Sequence, residues 1–287
     1  MTTTADSKTG ERPFWGKLDG VLVINLDDRP QRWLETLDEL AAFPDSPAPL
    51  RMSAVRGVDL PGYGKPPWFR GRDGDIRWAG RGGCTQSHRK AMQTAREHDW
   101  RTFLILEDDA LLQPMRDLDF KLLEQLLFGK HADWDVCYLG FSKALGGALR
   151  LAETGAINLF EVLGCYTTHA YLVRERARDW IFDNLAGDSQ AWPWHARHRI
   201  IDRWYARNLS QHFRVMALSP SVITQRAGYS DIILRKVDYA DEYAGRLLSI
   251  TDDPDVFARE RHQHHKRCAW SARRDWLQSK LKRWHGF

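Results

Sequence analysis

Short apolar runs that close on polar clusters recur along this chain. "GVLVINLDD" sets Val21 to Ile24 ahead of Asn25, Asp27 and Asp28, and "TFLILEDDALL" sets Phe103 to Leu106 ahead of Glu107, Asp108 and Asp109. "WDVCYLGF" is a third run of the same kind. Unbroken apolar runs of this length are the pattern of strands buried on both faces. Helical spacing lies between them. "PQRWLETLDELAAF" places Pro30 in a first turn and Trp33, Leu34, Leu37 and Leu40 on one stripe. "GGCTQSHRKAMQTAREHDW" reads as a glycine-rich turn opening a helix near Thr85 or Ser87, and a further helix is expected around Leu118 to Phe128. The stretch from Pro44 to Gly83, rich in Pro and Gly, reads mostly as loop. "TTHAYLVRERARDWIFDNL" combines a short strand with a helix, "IIDRWYARNL" is helical, and "FRVMALSPSVITQ" is a strand with its exit loop. The alternation predicts an α/β fold with a mostly parallel central sheet flanked by helices.

In such sheets ligands sit outside the carboxyl ends of the strands. Two strand ends here carry polar clusters, "INLDDR" and "LILEDD", which points to one shared site. Three adjacent carboxylates repel one another, and burial raises their pKa values unless a cation offsets the charge. Strand alternation sends Glu107 and Asp109 one way and Asp108 the other. Two carboxylates on one side, with no basic neighbour in sequence, suit a hard divalent ion with open positions for phosphate. The alternative is that the acids cap a following helix or pair with distant arginines.

Composition narrows the classes. The 287 residues are 43% hydrophobic and 28% charged, enough for one large α/β domain or two small ones. The net charge of +4 calls for no nucleic-acid partner by itself, and no nucleic-acid-binding motif is present. Cys84, Cys137, Cys165 and Cys268 form no CxxC pair, which argues against a zinc site or a disulfide scaffold and suits a reducing compartment. The first twenty residues lack a signal-peptide core, and no apolar run approaches the roughly 20 residues that span a bilayer. The expected address is the cytoplasm, at the inner face of a membrane if the tail engages one. That tail, 259–287, is basic and Trp-bearing, an amphipathic candidate for an anionic membrane surface or a helix docked on the domain. "HARH" (His195, His198) and "RHQHH" (His262, His264, His265) sit among arginines and read as solvated faces rather than metal ligands. Trp68, Trp78, Trp192 and Trp194, among thirteen Trp, are candidates for an acceptor groove.

Taken in order, "VLVINLDDRPQRW", "GGCTQSH", "LILEDDA", "THAYLV", "IID" and "SDI" resemble glycosyltransferase family 25. That family includes bacterial lipooligosaccharide galactosyltransferases and the collagen hydroxylysine galactosyltransferases. The resemblance covers Val21 to Ile232 and implies a GT-A-like domain over 19–258, after a flexible segment 1–18. It implies a nucleotide sugar, UDP-galactose first, as donor. Mn²⁺ (or Mg²⁺) would be held by the acidic motif, with Asp109 in direct contact, Glu107 beside it, and Glu107 or Asp108 reaching the ribose or a metal-bound water. Asn25 and Leu26 would lie at the nucleotide edge, with Arg29 or Arg32 on base or phosphates; the competing role for Arg32 is pairing with Asp27, Asp28 or Glu35. Ser87 and His88 would bond the nucleotide sugar beside a helix start. His169 would stand near the donor sugar or complete the metal shell, or be a satisfied structural residue. Asp202 would be the general base of an inverting transfer, or a surface acid paired with Arg199 or Arg203. Ser230 and Asp231 fit the last block, in a loop closing over the donor. Gln86, Arg89 and Thr168 depart from the family's pattern, where an apolar residue, an aromatic and Gly are usual. The implied acceptor is a hydroxyl of a cell-surface glycan, free or lipid-linked; a protein-directed transferase and a silent nucleotide-sugar binder are the rivals.

Overall fold

The apolar runs form the middle of one nine-stranded sheet. The structure, a computed structural model, describes residues 14–72, 74–230, 232, 234–238 and 245–285, with side chains as far as 281. In chain order the first elements are β1 (Gly20–Asn25), α1 (Pro30–Ala41), β2 (Pro49–Ser53), α2 (Asp75–Glu97), β3 (Thr102–Glu107) and β4 (Ala110–Leu111). A short α3 (Phe120–Glu124) runs into a π-turn, Gln125–Lys130. Then come β5 (Val136–Gly140), β6 (Gly147–Glu153), β7 (Asn158–Val162), β8 (Ala170–Arg174), α4 (Glu175–Asn184), α5 (Ala191–His198) and α6 (Ile201–His212). The chain continues through β9 (Val215–Ser219), β10 (Thr224–Gln225), β11 (Gly228–Ser230), β12 (Arg235–Val237), β13 (Ser249–Thr251) and α7 (Pro254–His285).

The sheet order is β13-β6-β7-β9-β5-β8-β3-β1-β2. Tracing the pairings gives seven strands in one direction and only β7 and β8 opposed. The sheet is therefore mixed but mostly parallel in strand direction. Alternation along β1 and β3 divides the core. Leu22, Ile24, Phe103 and Ile105 pack with Ala91 and Met92 of α2, Ile181 of α4 and Trp204 of α6. Val21, Val23, Leu104 and Leu106 face Leu40 of α1 and Leu123 and Leu127 beyond it. Helices on both faces explain why these strands need no polar side.

Several expectations are corrected. The glycines of "GGCTQSH" do not open a helix; α2 begins seven residues before Gly82 and carries both glycines in its interior. Close packing requires them there. A Cβ on Gly82 would stand 2.7 Å from the Trp192 ring, and one on Gly83 would stand 2.4 Å from the carbonyl oxygen of Val55. Thr85 caps nothing and bonds the Arg81 carbonyl one turn back. The true start is braced by Asp75, whose Oδ2 accepts from the backbone N–H groups of Arg70, Gly71 and Arg72. The expected loop from Pro44 to Gly83 also holds β2, paired with β1. Within the segment expected to be flexible, Phe14, Trp15 and Leu18 are buried in the core. The tail is part of α7, which starts at Pro254 and docks its inner face on the domain through Phe257, His264 and Cys268. His195 is likewise buried, so neither histidine group is a wholly solvated face. Trp68, Trp78 and Trp192 cluster with Leu60 and Phe69, and Trp194 packs against the main core, as tryptophans usually do.

Candidate functional site

The carboxyl ends of β1, β2 and β3 open into a cavity of about 670 Å³. α2 and the first turn of α6 line it, as do Gln225, Tyr229, Ser230, Ile232 and Leu234. Glu107, Asp108, Asp109 and Asp202 all line it. Each acid is held differently.

Asp108 is turned toward α1. Its carboxylate accepts from Asn25 Nδ2 at 2.7 Å and from Arg32 Nη1 at 3.1 Å, and burial still pushes its pKa up. Arg32 therefore pairs with Asp108, rather than with the acids near it in sequence, and its other Nη donates to the Tyr229 carbonyl at 2.8 Å. That ties Tyr229 to the acidic motif. Glu107 Oε1 accepts from Thr168 Oγ1 at 2.9 Å and meets His88 Nε2 at 3.2 Å. Burial raises the Glu107 pKa, but the His88 hydrogen bond and charge, with His169 and Thr168, outweigh it and hold the group below its ordinary value. Asp109 has the least support, two contacts of 3.4 Å from Gln225 Nε2. Burial, then the charges of Glu107 and Asp108, push its pKa up to about 7. Asp202 accepts from the backbone N–H groups of Arg203 at 2.5 Å and Thr167 at 3.4 Å. Burial raises its pKa, the Glu107 charge adding to the effect. It is no surface acid: it lies at the N-terminus of α6 inside the cavity.

Guanidinium groups face these acids. Arg56, Arg81, Arg199 and Arg203 line the same cavity. Burial and the neighbouring Arg77 lower the Arg81 pKa while Asp202 opposes that shift. Arg81 and Arg203 form no salt bridge among the described residues. The backbone is strained at this place too. Of the four described non-glycine residues with positive φ, three (Thr167 at 67°, Arg199 at 78° and Leu234 at 59°) line the cavity. Each such conformation costs on the order of 1–3 kcal/mol, and such residues gather at functional sites.

The other expected residues divide into lining and support. Leu26, Ser87, His88 and Ser230 line the cavity. Ser87 is committed to packing: its hydroxyl donates to the Gly83 carbonyl and accepts from the Val55 N–H, both at 2.8 Å. Asn25 is buried behind Asp108, and its Oδ1 accepts from Arg51 Nε at 2.8 Å. Its role is to position Asp108. Arg29 lies outside the lining and offers its carbonyl to Asn25. His169 is also outside it. One ring nitrogen meets Thr167 Oγ1 at 3.2 Å, the other the Ile223 carbonyl at 3.1 Å, and burial lowers its pKa. It is the satisfied structural residue, pressed against Gly140, where a Cβ would stand 2.2 Å from its Nε2. Asp231 falls outside the described residues.

Sequence reading missed the arginine wall and one cluster. Cys84 and His88, four apart on α2, bring ligand atoms within 4.8 Å of each other and of Glu107. Their i, i+4 spacing was the available signal. The cysteine spacing argued against a zinc site, and this cluster is a grouping of one cysteine that the spacing of the four did not reveal. Burial, reinforced by Glu107, Asp202 and Asp109, keeps the Cys84 thiol protonated well above its ordinary pKa. Glu107, Asp109 and Asp202 are the hard oxygen groups of the cavity wall, and the charge of Glu107 raises the pKa of both other acids.

A second cavity of about 540 Å³ lies between α6, α7 and the start of β6 and shares Arg203 with the first. Arg207 Nη1 and Glu260 Oε2, both from residues that line it, have no hydrogen-bond partner among the described residues.

Comparison with known proteins leaves the family open. No protein-family profile matches the chain, and no curated protein matches it. Among solved structures, A197 from STIV is similar over 78% of this chain and 96% of its own, at 12% identity and a TM-score of 0.36. Mannose-1-phosphate geranyltransferase from Thermus thermophilus is similar over 74% of this chain and 76% of its own, at 11% identity and a TM-score of 0.31. Likenesses this distant carry no argument about activity. No helix among the described residues is long and apolar enough to cross a membrane.

Proposed function

We propose that this chain is a metal-dependent glycosyltransferase that transfers a hexose, galactose from UDP-galactose first, with inversion to a hydroxyl of a cell-surface glycan. One observation carries the reading: Glu107, Asp109 and Asp202 share a cavity with Arg56, Arg81, Arg199 and Arg203. Acids alone would suit a cation, and arginines alone an anion. Both together suit a divalent ion bound to a diphosphate. The donor identity and the GT-A-like fold rest on the sequence resemblance.

In this reading Asp109 and Glu107 would hold Mn²⁺ or Mg²⁺, which would supply a Lewis acid for the negative charge of the departing diphosphate. The arginines of the same cavity would bind that diphosphate. Asn25, Arg32 and Asp108 fix the end of β1 against the end of β3, and Arg32 holds the Tyr229 carbonyl at the cavity. Asp202 takes the proton of the acceptor hydroxyl as that oxygen attacks the anomeric carbon and the bond to the diphosphate breaks. Its raised pKa makes it a stronger base than a solvated aspartate.

The test is calorimetric titration of UDP-galactose, UDP-glucose and UDP-N-acetylglucosamine, with and without Mn²⁺, followed by assay of UDP release. Cation-dependent binding of one nucleotide sugar, lost in Asp109→Asn, is the expected result. Binding of none of them, with or without the cation, would remove the assignment.

A further inference from the structure

The outer face of α7 is not explained by the cavity or by the core. Its inner face is pinned at intervals of three and four residues. Phe257, His264, Cys268 and Asp275 are buried. His264 Nε2 meets the Ala206 carbonyl at 3.0 Å, and Arg207 donates to Ser271 Oγ at 2.6 Å and to Asp275 at 2.7 Å. Farther along, Gln278 accepts from Arg199 at 2.9 Å. The rotation of the helix is therefore set.

Trp270 and Leu277 each follow an inner residue, Cys268 and Asp275, by two positions. At about 100° per residue that places them about 200° round, on the side away from the domain. Leu281 continues the same line, four residues after Leu277. They are 64%, 56% and 55% exposed, and Trp276 beside them is 40% exposed. Four of the nine exposed large hydrophobic residues in the described chain thus fall within twelve residues of one helix. Isolated exposed apolar residues need no explanation, but an aligned set on a helix that is already docked does.

The charge around this ridge has one sign. Lys266, Arg267, Arg273, Arg274 and Lys280 are exposed. From Arg261 to Leu281 the single carboxylate is Asp275, which is buried and spent on Arg207. Arg274 lies over the Trp270 ring at 5.3 Å and Lys280 over the Trp276 ring at 3.8 Å. Each aromatic therefore stands beside a cation. Apolar side chains with cations on both flanks give this one exposed side the contacts that an anionic bilayer surface takes, apolar at the headgroup boundary and basic at the phosphates.

We infer that the outer ridge of α7, formed by Trp270, Arg273, Leu277 and Leu281, seats the protein on an anionic phospholipid surface. The apolar side chains enter the headgroup boundary and the flanking cations meet lipid phosphates, while the inner face stays docked. No part of this depends on the donor, the metal or catalysis, so it stands or falls separately from the proposed activity.

Co-sedimentation of the full chain with vesicles tests it. One set is phosphatidylcholine alone and the other contains about one third phosphatidylglycerol, at low and at high salt. Binding at least about tenfold stronger to the anionic vesicles, weakened by salt, is expected. The variant W270S/L277S/L281S should lose about tenfold or more of it while keeping its circular dichroism, because all three side chains lie outside the core. A second variant, R273E/R274E, should lose the preference for anionic lipid. Failure of the wild type to sediment with anionic vesicles overturns the inference, as does undiminished binding by the triple variant. A dimer that the triple variant dissolves, without vesicle binding, would show that a second copy covers the ridge, and would also overturn it.

Discussion

Replacing Asp109 with Asn should make the metal-free protein more stable at neutral pH while removing its capacity for a divalent ion. The reasoning starts from the folded pKa of about 7, against an ordinary value of 3.8. A raised acid pKa means that the folded chain resists giving up this proton. The stability linked to it is fully present below the unfolded value near 4 and is lost as the pH climbs through 7. The shift is about three units, and at 1.36 kcal/mol per unit it amounts to about 4 kcal/mol as an upper bound. Asp109 is half-buried at the cavity wall, and water reaching it reduces the penalty to an order of 1–3 kcal/mol. Asn carries no charge at any pH, so it escapes the penalty and keeps a polar group for Gln225. In EDTA at pH 8 the variant should melt about 2–8 °C above the wild type. The gap should narrow at pH 5 and close near pH 4, where the wild-type carboxyl is protonated in both states. Adding Mn²⁺ at pH 8 should raise the wild-type midpoint and leave the variant unmoved. Thermal melts followed by circular dichroism across this pH series are sufficient. A variant less stable than the wild type at pH 8, or a gap that does not change with pH, would refute the account of the acidic cluster.

Three other outcomes are expected. Asp202→Asn should leave nucleotide-sugar affinity within about threefold of the wild type and cut turnover by about 10²-fold or more, measured as UDP release. Equal loss of affinity would mean that Asp202 organises the site rather than serving as base. Arg81→Gln should weaken binding of the diphosphate-bearing donor by about tenfold or more, with a smaller effect on binding of uridine alone, as read by calorimetry. Gly83→Ala should destabilise the fold by about 1–3 kcal/mol in urea unfolding, because the added methyl meets the backbone of Val55 and Gly57 and neither can give way cheaply.

How far the site could be read from the chain depended on the range of the interaction. The acidic motif could be found because a buried strand must end at the surface, and Glu107, Asp108 and Asp109 stand directly after "LIL". The contrast between their roles could not. Asp108 is paired with Arg32, 76 residues away, while among the described residues the Asp109 side chain meets Gln225, 116 residues away. His169 shows the same limit in reverse. Its sequence block suggested chemistry, yet Thr167 Oγ1 and the Ile223 carbonyl consume both ring nitrogens.

What the sequence determined by itself was local and periodic: β1, β3, β5, β8 and β9, the helices α1, α4 and α6, and the α/β class that follows from their alternation. Unbroken apolar runs and helical stripes specify such elements without knowledge of their neighbours. Tertiary structure decided the rest. Gly82 and Gly83 looked like a turn because glycine normally breaks a helix, and only the nearness of Trp192 and Val55 shows why α2 keeps them. Arg56, Arg81, Arg199 and Arg203 come from three separate stretches of the chain and share a cavity only after the sheet has formed. The outer ridge of α7 could be distinguished from its inner seam only once Arg207 had clamped Asp275, since a basic helix alone does not say which side faces away from the domain. Convergence of distant side chains depends on where the backbone closes on itself, and no local pattern along the chain encodes that distance.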